Sequence, residues 1–258
     1  MMWKNRLLLS AGALAATLSA AAAAQSPAIP DYITAAVVNS GRPDTDRARD
    51  PLRKPAEVLA FAGVKPGDKV ADFMPGKGYF TNIFCTLVGP KGHVYAISVK
   101  RPQSATPPPA DAAAKTAPPP GVASCTNVTR DSEPPEEFAA PEPLDLIWTS
   151  ENYHDLHNKG LGPPDIAKVD DAFFKALKPG GVLMVEDHVA TPGSGIADTS
   201  TLHRIDIDTV KKEVTAAGFT LEAESPVLHN PDDPHTAKVF DLHDKTDRFL
   251  LKFRKPAH

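Results

Sequence analysis

Residues 69–81, Lys-Val-Ala-Asp-Phe-Met-Pro-Gly-Lys-Gly-Tyr-Phe-Thr, constrain this chain more than any other stretch. They begin as an apolar run, 70–74, long enough for one buried strand. They break at Pro75-Gly76-Lys77-Gly78 and resume with helical spacing over 79–87. Strand, Gly-rich turn, helix is the pattern by which an open α/β sheet builds a pocket for a nucleotide-type ligand. The glycines allow a tight turn and let a ligand approach the backbone. The helix behind them offers unpaired N–H groups and a positive dipole end, which suit a carboxylate or phosphate. Such a loop alone is as often a plain turn as a binding site, so its surroundings decide.

The surroundings alternate strand and helix. A helix is expected from Pro55 to a stop at Gly63, and strands at 93–98, 123–129 and 144–149. A helix at 166–177 stops at Lys178-Pro-Gly-Gly, and a strand at 182–185 follows. A helix at 208–217, a strand at 219–224 and an alternating strand at 246–254 complete the set. This order predicts an α/β fold: a Rossmann-like, doubly wound, mostly parallel seven-stranded sheet. The last strand alternates as an antiparallel edge or hairpin partner would.

The 258 residues, with 41% hydrophobic, 23% charged and a formal charge of −4, suit one full core. They give no footprint for a nucleic-acid partner. Lys4 and Arg6, an apolar stretch over 7–20 and Ala22-Ala23-Ala24 read as a signal peptide, 1–24. A periplasmic or secreted protein is therefore expected, without stable membrane insertion once that segment is removed. An extension at 25–54, with a short helix near 31–39, precedes the domain at 55–258, which carries a Pro/Ala-rich insert at 101–121. The charged run 42–54 reads as a solvated face, or as a lid offering an Arg to an acidic ligand. Cys85 and Cys125 form a disulfide in an oxidising compartment, or stay as two buried thiols. Oligomeric state is not legible.

Eight of the nine histidines follow residue 150, and polar residues gather where strands end. Glu151, Tyr153, His154 and Asp155 follow the fourth strand, and Glu186, Asp187 and His188 the fifth. His203, Arg204 and Asp206 follow a polar loop. One reading is an acceptor site, with His154 or His188 as base and Glu151 or Glu186 orienting it. Another is a divalent metal site, although His154 and His157 stand three apart with no His-x-x-x-His pair. His229, Asp232, Asp233 and His235 read as a turn fixed by Pro231 and Pro234.

Over residues 55–256 the chain resembles the class I S-adenosylmethionine-dependent methyltransferases. The resemblance rests on Val-Ala-Asp72-Phe-Met-Pro-Gly76-Lys-Gly78-Tyr, on Asp145-Leu-Ile-Trp-Thr and on Leu177-Lys-Pro-Gly-Gly-Val-Leu. It is most similar to exported methyltransferase-like proteins that share Glu151-Asn-Tyr-His-Asp, Asp198-Thr-x-Thr-Leu-His-Arg-Ile-Asp206 and Thr246-Asp-Arg-Phe. The resemblance implies S-adenosylmethionine as cofactor and a small-molecule acceptor. It puts Asp72, Gly76 and Gly78 at the donor's methionine end and Asp131 near its adenine. Ser98 stands where the family usually has an acidic residue for the ribose hydroxyls, and a Ser holds a diol less well than a carboxylate does. The alternative is an exported small-molecule-binding or metal-binding protein on the same fold, without methyl transfer.

Overall fold

The computed structural model describes residues 28–100, 125–159 and 163–257. The expected signal peptide and the expected insert at 101–121 lie outside them. The seven expected strands form: β1 Lys69–Phe73, β2 His93–Val99, β3 Val128–Glu133 and β4 Leu144–Ser150, then β5 Leu177–His188, β6 Thr220–Ser225 and β7 Arg248–Arg254. Their order across the sheet is β3-β2-β1-β4-β5-β7-β6. β1 to β5 run parallel, and β7 is antiparallel to both β5 and β6. The last strand is thus not an edge. It lies inside the sheet and its partner β6 forms the border.

The sheet is buried on both faces because β1, β4 and β5 are apolar at successive positions. On one face lie α1 (Asp31–Val37), α4 (Pro55–Ala62) and α5 (Tyr79–Val88), packed on Val70, Leu146 and Trp148. Trp148 meets Phe80 and Phe84 at ring distances of 4.6 and 5.8 Å. On the other face α6 (Ile166–Ala176) and α7 (Ile207–Ala216) cover Phe73, Ile147 and Leu183. Gly63, at φ +78°, ends α4 in a left-handed cap that a side chain would strain.

Two expectations are corrected. The third strand starts at Val128, not 123. The residues before it are bonded elsewhere: Cys125 forms a disulfide with Cys85 (Cα–Cα 6.0 Å), and Asn127 caps α5. The Asn127 side chain donates to the carbonyls of Cys85 and Gly89 at 3.0 and 2.9 Å. The charged run 42–54 is not a solvated face. It folds as two short helices, α2 (Asp44–Arg47) and α3 (Asp50–Arg53), with Arg42 and Arg53 only 3% and 5% exposed. The reason is Tyr79. Its hydroxyl donates to Asp50 at 2.6 Å, and the guanidinium groups of Arg42, Arg49 and Arg53 lie 5.3, 5.7 and 4.5 Å from its ring centre. Arg42 also makes two 2.8 Å bonds to Asp50. The run is a strap folded over the start of α5.

Candidate active site

The Gly-rich turn leaves β1 through Met74 at φ +54° and reaches Gly76 at φ +55° and Gly78 at φ +83°. Gly78 is the N-cap of α5. A Cβ placed on Gly76 would meet nothing within 4 Å, so the backbone there borders open space. That space is a cavity of ≈ 490 Å³ whose wall includes Gly76, Asp72, Arg49, Arg53, Tyr79 and Asn152. Asn152 ties the ends of two strands together: it donates to the carbonyls of Phe73 and Met74 at 3.3 and 3.0 Å and accepts from Thr149. Burial raises the Asp72 pKa to about 7, opposed by a hydrogen bond from Thr81. Ser98 and Asp131 do not line this cavity. Both are exposed on β2 and β3, and the Asp131 carboxylate accepts from the next backbone N–H at 2.7 Å.

A second cavity, of ≈ 550 Å³, adjoins the first and shares Arg49, Glu151 and Asp155 with it. Its wall brings together His154, His188, His203 and His243 with Phe240 of the short helix α8 (Val239–Leu242). His154 and Asp155 lie on a 3-10 turn at Tyr153–His157, directly after β4. Glu151, His203 and His243 have φ of +59°, +58° and +52°, a region that non-glycine residues seldom occupy. Three such residues round one cavity mark it as a place where the surrounding structure holds the backbone in a costly shape.

Electrostatics assign different states to the imidazoles. His154 Nδ1 lies 2.7 Å from Asp187 Oδ1, and the His154 backbone N–H donates to Asp187 Oδ2 at 2.8 Å. Burial works to lower the His154 pKa, but the Asp187 charge and hydrogen bond outweigh it and raise it. The same contact holds Asp187 below the ordinary range despite complete burial. His188 is different: burial drives its pKa down to about 4, so it is neutral at pH 7, with Nδ1 at 2.8 Å from Thr246 Oγ1. His203 Nδ1 stands 3.2 Å from His154 Nε2.

Beneath the cavity runs a charge network. Arg248, the first residue of β7, lies 2.6 Å from Glu151 and 3.0 Å from Glu186, and Arg53 lies 3.2 Å from Glu151. Ser150 Oγ donates to Glu186 at 2.8 Å and accepts from Arg53 at 2.9 Å. Burial raises the Glu186 pKa against the pull of Arg248. Glu151, by contrast, is held low, because Arg53, His188 and Arg248 together outweigh its burial.

The expected site residues thus divide. Glu151, His154 and His188 line the second cavity, and Asp72 and Gly76 the first. Gly78 shapes the turn rather than the wall. Asp187 orients His154, a role the sequence offered to Glu151 or Glu186. Arg204 is not at the site: it is fully buried and pairs with Asp233 at 2.9 and 3.0 Å. Asp206 caps α7 through the Asp208 N–H. His157 bonds Glu213 at 3.1 Å on the far side of its turn. His229 and His235 hold Asp247 at 3.0 and 2.9 Å, as a structural turn requires. Sequence reasoning gave no role to Arg248 or Phe240. The one signal is a charged residue directly before the apolar run Phe249-Leu-Leu, in Thr246-Asp-Arg-Phe.

No protein-family model matches the sequence, and no curated protein matches it. Solved structures do match. One is a SAM-dependent methyltransferase from Aquifex aeolicus, 20% identical, covering 80% of this chain and 92% of its own, with a TM-score of 0.55. Another is an arsenic(III) S-adenosylmethionine methyltransferase from Chlamydomonas reinhardtii, 17% identical, covering 88% of this chain and 74% of its own, with a TM-score of 0.52. With its strand order and its antiparallel β7, this chain has the fold of the S-adenosylmethionine-dependent methyltransferases.

Proposed function

We propose that this protein transfers a methyl group from S-adenosylmethionine to a small-molecule acceptor. The observation that carries the reading is the continuity of the two cavities: open backbone at Gly76 on one side, four imidazoles on the other, and Glu151 and Asp155 in both walls. The first cavity fits the amino-acid end of the donor. Arg49 and Arg53 and the start of α5 suit its carboxylate, and Asp46 offers a partner for its ammonium. At the end of β2, where the resemblance expects an acidic residue for the ribose, Ser98 faces solvent.

When bound, the donor supplies an electrophilic methyl carbon on a sulfonium, which departs as a neutral thioether with the bond's electron pair. The chain's residues then have two tasks. Arg49, Glu151 and Asp155 hold the two halves in line, and alignment is the larger part of catalysis in such a displacement. An acceptor with an O–H or N–H must also give up its proton, and the His154–His203 pair, oriented by Asp187, can take it. We further propose that the protein works outside the cytoplasm, as its N-terminal sequence suggests. The disulfide between Cys85 and Cys125 supports this, because such bonds persist in oxidising compartments.

Calorimetric titration with S-adenosylmethionine and with S-adenosylhomocysteine tests the reading. Binding of both, with His154→Gln lowering turnover far more than donor affinity, is the expected result. Binding of neither leaves a small-molecule-binding protein on a methyltransferase fold.

A further inference from the structure

Three ligand-type atoms converge on one point of the second cavity's wall. His154 Nε2, His203 Nδ1 and Asp155 Oδ1 form a triangle with sides of 3.2, 3.5 and 3.5 Å. Donor atoms about 2.0–2.1 Å from a tetrahedral zinc stand roughly 3.3–3.4 Å apart, whereas on an octahedral ion they would stand about 3.0 Å apart. The triangle has the size of one face of the tetrahedron.

Three further facts point the same way. First, Asp187 engages the Nδ1 of His154, so in the neutral ring Nε2 carries the lone pair, and that atom is the one at the triangle's corner. A carboxylate behind a histidine's other nitrogen is the usual outer support of a ligating imidazole. Asp187 is completely buried and is fixed by the backbone N–H groups of His154 and His188. Second, one shared proton satisfies only one side of a triangle of electron-pair donors, whereas a divalent cation satisfies all three corners. Third, the His203 ring is braced edge-on by Phe240 at 4.7 Å, on a backbone held at φ +58°.

We infer that His154, Asp155 and His203 bind a zinc-type divalent cation, with its fourth position open to the ≈ 550 Å³ cavity. Two neutral imidazoles and one carboxylate are a ligand set of open zinc sites, in which water or substrate takes the remaining place. Asp155 also lines the donor-side cavity, so the ion stands at the junction of the two. It would hold an acceptor through oxygen, sulfur or nitrogen and ease loss of its proton. His154 and His203 then act as ligands, and the ion takes over the activation of the acceptor. Metal binding is measured without donor or acceptor, so it stands or falls separately from methyl transfer.

The test uses the purified protein stripped with a chelator and titrated with Zn²⁺ by calorimetry. It is repeated with Co²⁺, followed by visible absorption. One ion per chain is expected, with the intense cobalt bands of a tetrahedral site. His203→Asn, which keeps a residue tolerant of positive φ, and Asp155→Asn should each weaken zinc binding by about 100-fold or more. Their melting temperatures should stay near the parent's, since both side chains are partly exposed. An affinity that neither variant changes overturns the assignment. So does failure of the stripped parent to bind zinc supplied well above the protein concentration.

Discussion

Arg248→Met probes the network beneath the site. Met keeps the length and apolar stem of the side chain but removes its charge. Glu151 retains Arg53 at 3.2 Å, whereas Glu186, fully buried, keeps the Ser150 hydrogen bond and only the more distant charge of Arg53. An uncompensated buried carboxylate takes up a proton instead of staying charged. The cost of doing so is about 1.36 kcal/mol for each pH unit above an ordinary carboxyl pKa of about 4.3. That comes to about 3.7 kcal/mol at pH 7 and about 1 kcal/mol at pH 5. These are upper figures, because burial already raises the Glu186 pKa in the parent. The Leu52 carbonyl also loses its 2.7 Å donor, which adds about 1 kcal/mol. The expected loss at pH 7 is about 3–5 kcal/mol, in the range found when one partner of a buried pair is removed. The sign in pH follows. The variant's Glu186 has a folded pKa raised above its unfolded value, so the penalty vanishes at low pH and grows as pH rises. Urea denaturation followed by fluorescence of the buried Trp148, at pH 5 and pH 7, measures both terms. The double variant Arg248→Met/Glu186→Gln should recover most of the loss and remove its pH dependence. A loss at pH 7 below about 1 kcal/mol, or one equal at both pH values, would refute the reasoning.

Gly76→Val should cost about 1–2 kcal/mol of stability, from φ +55° alone, because its Cβ meets open space. Calorimetry should show affinity for S-adenosylhomocysteine falling more than about tenfold as the side chain fills the donor's approach, and unchanged affinity would place the donor elsewhere. Removing the disulfide with Cys85→Ala/Cys125→Ala reopens a loop of sequence separation 40, which the chain-entropy argument values at about 4 kcal/mol. A urea midpoint equal to the parent's under oxidising conditions would count against that bond. Asp72, with its pKa raised by burial to about 7, binds a proton in the folded state that the unfolded chain has already lost, so its cost to stability grows as pH rises from about 4 to 7 and persists above that. Asp72→Asn should therefore gain on the parent by about 2–3 kcal/mol between pH 5 and pH 8 in urea denaturation.

Much of the fold was legible because each strand carried its own signal. Apolar runs of five to seven residues between helical stretches fixed β1, β2 and β4 almost to the residue. β3 starts later than the sequence predicts because its edge position leaves it polar, Val-Thr-Arg-Asp-Ser-Glu, while Cys125 and Asn127 before it serve the disulfide and the α5 cap. The site was legible as a set of loops but not as pairings. Asp187, Glu186 and His188 adjoin in sequence, and only the environment shows that Asp187 serves His154 while Glu186 serves Arg248. His203 reaches His154 across 49 residues, a distance no spacing rule covers. The basic run reads as solvated because its partners lie far along the chain, Tyr79 29 residues from Asp50 and Asp244 195 from Arg49.

The position of β7 carries a further consequence. Seven residues, Arg248–Arg254, enter the sheet between two strands synthesised before them. Until they arrive, β5 has a bare flank, β6 has no neighbour in the sheet and Glu186 lacks its 3.0 Å ion-pair partner. A product of translation that stops before β7 therefore lacks the strand that joins β6 to the rest of the sheet, not a trimmed border. It also exposes two strands ready to pair with other chains. The charge network under the histidine cavity therefore forms only once β7 has entered the sheet.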